Sequence, residues 1–152
     1  MIWEYLILLN TAVFATVLGI IDFKTKLLPN KYVFLLFASS IVVIVVSPIF
    51  DAQKLATSIA ISFLIFLCYL ILYYLSQQTF GLGDVKYSFS LSLPATYIFG
   101  ISQTINMHIV AFIMGGIFSL FLMIFMKVSK KHAIAFGPFM SLSFFLFLVL
   151  SL

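Results

Sequence analysis

The 152-residue chain contains no arginine, only four acidic residues (Glu4, Asp22, Asp51 and Asp84) and one cysteine. Charged side chains make up 8% of it, against about 25% in an ordinary soluble domain. So little charge cannot clothe a water-soluble globule, which excludes cytosolic domains, secreted modules and disordered chains. A lone cysteine, Cys68, excludes both a disulfide framework and a cysteine-based zinc site. The formal charge of +4 rests on eight lysines, and no basic patch alternates with aromatic residues, so no nucleic-acid partner is expected. No His/Asp/Glu cluster suggests a metal, and no glycine-rich loop leads into a Lys-Ser/Thr pair, so no metal or other cofactor is expected.

What remains is apolar: 64% of the residues are hydrophobic and the mean hydropathy is +1.29. A helix needs about 20 apolar residues to cross ~30 Å of hydrocarbon. Six such stretches are present, at about 2–21, 32–50, 55–75, 87–105, 107–126 and 133–152. Their length favours helices over the shorter, alternating strands of an outer-membrane barrel. The first stretch lacks a basic segment ahead of it and is too long for a cleaved signal peptide. The expected fold is an all-α membrane protein of six transmembrane helices, a single polytopic domain over 1–152 with the lipid bilayer as its surroundings.

Lysine placement orients the chain. Lys24, Lys26, Lys31, Lys86, Lys127, Lys130 and Lys131 fall in connections on one side, and Lys54 alone on the other. Both termini are therefore expected to face outward, away from the cytoplasm. Glu4 and Asp51 then lie at outer ends. Asp22 closes the first span and Asp84 opens the fourth, so two of the four acids reach one depth on the cytoplasmic side. Ionisable groups at membrane depth are costly and point to function. Two carboxylates a few ångströms apart in a poorly solvated site cannot both ionise, and a pair sharing one proton can act as base and acid on one water and one carbonyl.

Gly81, Leu82, Gly83 and Asp84 form a GxGD motif similar to that of intramembrane aspartyl proteases. Asp22 followed by Leu28, Pro29 and Asn30 resembles the first motif of the type IV prepilin peptidase family, and Gly81 to Lys86 resembles its second. Phe136, Gly137, Pro138 and Phe139 resemble a segment of that family's last helix. The resemblance implies a membrane aspartyl endopeptidase with Asp22 and Asp84 as catalytic pair, supported by Gly81, Gly83, Lys86, Pro29 and Asn30. It also implies prepilin-like membrane precursors as substrates, cut at the cytoplasmic face of the cell membrane. Longer family members carry an insert with paired CxxC motifs and methylate the new N-terminus. This chain has neither, so no methyltransfer is expected. Presenilin and signal peptide peptidase share GxGD, but their other aspartate follows a tyrosine, whereas Asp22 follows Ile21.

Each feature has a blander reading. Asp84 would serve as an N-cap for the fourth helix and Asp22 as a boundary residue. Pro29 and Asn30 make a turn in which Asn30 caps the second helix. The fourth stretch, with Ser88, Ser90, Ser92 and Pro94, suits either a helix lining a wet cavity or a packing helix with small contact residues. His108 and His132 read as interfacial, at the outer and inner boundary respectively. Two other classes compete: a small proton-coupled transporter, and a non-catalytic membrane protein of pilus or secretion assembly. Transporters tend to show internal repeats and mid-span charges, neither of which is present.

Orientation is directly testable. In a chain whose Cys68 is replaced by alanine, a cysteine at positions 51–54 is expected to react with an impermeant maleimide added outside. One at positions 27–30 is expected to be protected. The reverse pattern would put both aspartates outside.

Overall fold

The computed structural model describes residues 2–76, 80–125 and 135–151. Among these residues the chain is helical, without strands, and forms α1 (Ile2–Thr25), α2 (Asn30–Val46), α3 (Ala52–Leu75), α4 (Leu82–Phe99), α5 (Ile101–Phe125) and α6 (Gly137–Ser151). Local chemistry sets the ends. Lys26 takes a left-handed conformation (φ 53°) and its amide donates to the Asp22 carbonyl at 2.8 Å, closing α1. Pro48 follows the last turn of α2 and cannot continue it. Asp51 caps α3, its carboxylate accepting the Lys54 amide at 3.0 Å.

Three helices, α1, α3 and α5, are long and apolar enough to cross a membrane. α2, α4 and α6 have 17, 18 and 15 residues. At 1.5 Å per residue they reach about 22–27 Å, short of ~30 Å of hydrocarbon. The near-equal stretches expected from hydropathy thus resolve into three long and three short helices. The turn between α4 and α5 falls at Gly100 (φ 85°), not at 105–107. The backbone turns where glycine permits a left-handed φ. α4 also starts five residues early, so Asp84 lies inside it.

α4 is the axis of the bundle. It packs against all five other helices, and nearly every side chain from Asp84 to Tyr97 is buried. Its serines accommodate this by returning their hydroxyl protons to their own helix: Ser88 to Val85 O at 2.8 Å and Ser92 to Ser88 O at 2.6 Å. They pack as small residues, which lets the neighbouring helices approach α4 closely. The buried core around it comprises Leu8, Leu18, Leu36, Tyr69, Leu91, Met107, Met140 and Phe144 among others.

The C-terminal end of α4 is tied by Tyr97, whose hydroxyl donates to Ile49 O at 2.8 Å and accepts the Asp51 amide at 3.0 Å. Tyr97→Phe strands both backbone groups, at a cost of about 1–2 kcal/mol. Denaturation in detergent is expected to show that loss with unchanged activity per folded molecule. An unaltered midpoint would contradict the tie.

Candidate active site

Asp22 lies one turn before the end of α1, with 3% of its surface exposed. Its Oδ2 accepts the backbone amide of Gly137 at 2.9 Å. The first amides of a helix have no partner within it and form the positive end of its dipole, so α6 presents a ready donor to a carboxylate. The residue there has to be glycine. A Cβ on Gly137 would lie 2.8 Å from Asp22 Oδ2 and 3.2 Å from its Cγ, in space the carboxylate already fills.

Asp84 is the third residue of α4, behind Gly81 in the N-cap position, so it does not cap the helix itself. Its amide donates to Gly81 O at 3.1 Å. The side chain is 5% exposed, and its Oδ1 is buried without a hydrogen-bond partner among the described residues. A buried oxygen left unpaired is costly and marks a place where chemistry is expected. Asp22 acts electrostatically on Asp84, and the Gly137 amide also interacts with it. Two aspartates far apart in sequence therefore lie within electrostatic reach of one another at one end of the bundle, near the N-terminus of α6.

The two motif segments are docked on each other. A Cβ on Gly83 would lie 2.8 Å from Leu28 Cβ, so only glycine lets the start of α4 lie on the α1–α2 turn. Lys86 Nζ donates to Asn30 Oδ1 at 3.0 Å. Asn30 therefore spends its side chain on Lys86 and does not cap α2. Pro29 occupies the cap position without a side-chain bond, its carbonyl accepting the Tyr32 amide at 3.1 Å.

Several residues at or near the site carried no signal as site residues. Tyr87 lies one turn beyond Asp84, fully buried, within electrostatic reach of both aspartates. Ser141 donates to Ala15 O at 2.8 Å, which leaves Tyr87 to donate to Ser141 Oγ at 2.9 Å. The spacing of Tyr87 from Asp84, three residues along one helix face, is the signal that could have found it. His108 is not interfacial as expected: it is buried in α5, bonded to Tyr69 and Ser92. α5 begins at Ile101, which draws position 108 two turns into the bundle. His132 lies outside the described residues. Among the described residues no group of three or more His, Cys, Asp or Glu side chains comes together.

The family model described as type IV leader peptidase matches residues 9–120. Asp22 and Asp84 both lie within the matched segment, and Gly137 lies beyond it. No curated protein and no solved structure matches the chain.

The docking of the two motifs has a measurable consequence. Gly83→Ala forces Leu28 away from the start of α4, an overpacking change of about 1–3 kcal/mol. Unfolding in bicelles is expected to register that loss. Wild-type stability would mean that the close approach is not required.

Proposed function

The chain belongs to the type IV leader peptidase family, and on that basis we propose that it is an aspartyl endopeptidase whose catalytic pair is Asp22 and Asp84. The observation that carries the reading is the convergence of two buried carboxyl groups, one held by the Gly137 amide and the other with an unpaired oxygen. Two carboxyl groups close together in a poorly solvated site cannot both ionise, so the pair holds one proton, which this reading assigns to Asp84. Asp22 accepts a proton from water as the water oxygen bonds to the scissile carbonyl carbon. Asp84 gives its proton to the carbonyl oxygen. Collapse returns that proton to Asp84 and transfers the one held by Asp22 to the departing nitrogen as the C–N bond breaks. The pair ends as it began, one carboxylate and one acid.

The substrates in this reading are prepilin-like precursors with a short basic leader ahead of an apolar helix that stays in the membrane. In this reading all six helices cross the cell membrane with both termini outward, the bilayer thinning around the shorter α2, α4 and α6, so the pair lies at the cytoplasmic face. The bias of seven lysines toward that face supports the orientation. Residues 1–152 act as one peptidase domain. A single cysteine supports leader cleavage without methyl transfer.

Asp22→Asn and Asp84→Asn are each expected to abolish cleavage of such a precursor in vesicles, by at least about a thousandfold, because neither group alone serves as both base and acid. Asn is nearly isosteric and uncharged, so insertion should be normal. Asp51→Asn should cleave normally, and EDTA should leave wild-type cleavage intact. Processing at wild-type rate by either variant of the pair would remove the assignment.

A further inference from the structure

A second buried polar group lies deeper in the bundle. Tyr69 on α3, Ser92 on α4 and His108 on α5 are joined through the His108 ring: Tyr69 Oη to Nδ1 at 2.8 Å and Ser92 Oγ to Nε2 at 2.7 Å. Proton positions follow from the third contact. Ser92 Oγ lies 2.6 Å from the Ser88 carbonyl oxygen, a separation that requires the serine proton between them. Ser92 can then only accept from Nε2–H, so Nδ1 is the unprotonated nitrogen and Tyr69 donates to it. Every donor is used once, and the chain runs in one direction from Tyr69 to the α4 backbone. Tyr69 is 2% and His108 6% exposed, so neither is satisfied by solvent.

The bond to His108 fixes where the Tyr69 ring lies, and that ring touches both turns of the candidate active site. Its centroid is 5.8 Å from Phe80, the residue before Gly81, and 6.2 Å from Phe136, the residue before Gly137. Phe80 and Phe136 are themselves 5.3 Å apart, and Phe112 backs the group at 5.1 Å from Tyr69 and 4.8 Å from Phe136. Gly81 opens the turn that carries Asp84, and Gly137 supplies the amide on Asp22. We propose that Tyr69, held by His108, is a positioning residue that sets the separation of Asp22 and Asp84 through Phe80 and Phe136. The inference rests on the assignment of that pair. Its ground is that one ring, bonded to α5 and through it to α4, is the common wall of both turns. A small displacement of one turn relative to the other changes the reach of both carboxyl groups to one carbonyl. Misplacement of about 1 Å can cost as much as a hundredfold in rate.

The test is cleavage of a synthetic precursor, a short basic leader ahead of an apolar helix, with enzyme and precursor in the same phospholipid vesicles. Tyr69→Phe keeps the ring and loses only the bond to His108. It is expected to lower kcat about tenfold with KM nearly unchanged, at a folded fraction equal to wild type by circular dichroism. His108→Leu is expected to match it, and the double variant to be no worse than either single one. His108→Gln, which keeps one donor and one acceptor, is expected to recover most of kcat. Wild-type kcat in Tyr69→Phe, or a loss that follows the folded fraction, would overturn the positioning role. Activity in Asp84→Asn measured alongside would instead overturn the pair, so the two failures are distinguishable.

Discussion

The bond from the Gly137 amide to the Asp22 carboxylate closes the molecule, joining the start of α6 to the end of α1 across 115 positions of sequence. Much of the local design follows from making room for it. Gly137 has no side chain because the carboxylate occupies that space, and α6 begins there, aiming its unpaired amide inward. Across the gap, Gly83 removes the side chain that would separate α4 from Leu28, and Lys86 reaches Asn30. Two glycines and one polar tether thus bring four helix ends, the end of α1 and the starts of α2, α4 and α6, to a common point. The two acids are not equivalent: Asp22 holds the Gly137 amide at 2.9 Å, while Asp84 keeps one buried oxygen, Oδ1, without a partner among the described residues.

Hydrophobicity does not sort helices in a bilayer as it does in water, because lipid tails are as apolar as leucine side chains. The arrangement of α4 reflects that. The most polar of the six helices is the most enclosed, its serines satisfied by their own backbone and its neighbours drawn close by their small size. The apolar outward faces of α3 and α5 suit lipid. Burying Asp84 in the first turn of such a helix places a costly group where five helices hold the surroundings fixed. Preorganisation of this kind is what acid–base chemistry at a peptide bond needs.

The six helices found among the described residues and the approach of Asp22 to Asp84 were legible in the sequence, since long apolar stretches mark the helices and scarce acids at one depth stand out against them. Less of the site's surroundings could be read. Gly137 acts through a backbone amide, which leaves no side-chain signature beyond a glycine ahead of a proline. Asn30 sits where a cap would be, but its preference was overridden by Lys86, a partner 56 positions away. His108 looks interfacial as long as the fifth helix is taken to start beside it; the left-handed Gly100 moves that start outward and leaves the histidine among Tyr69 and Ser92. Hydropathy finds where a chain is apolar, whereas single dihedrals and single hydrogen bonds decide where helices turn.

The central claim is that two carboxyl groups act as one unit on one reacting carbon. It is tested most directly by the affinity of a precursor whose scissile amide is replaced by a hydroxyethylene isostere, a tetrahedral mimic that the enzyme cannot cut. Wild-type protein is predicted to bind it far more tightly than a non-cleavable planar analogue. Asp22→Asn and Asp84→Asn should each lose that preference, and the double variant should lose no more than either alone, as expected of strongly coupled groups. Additive losses, or a preference that survives in either single variant, would mean that the two aspartates do not share a site.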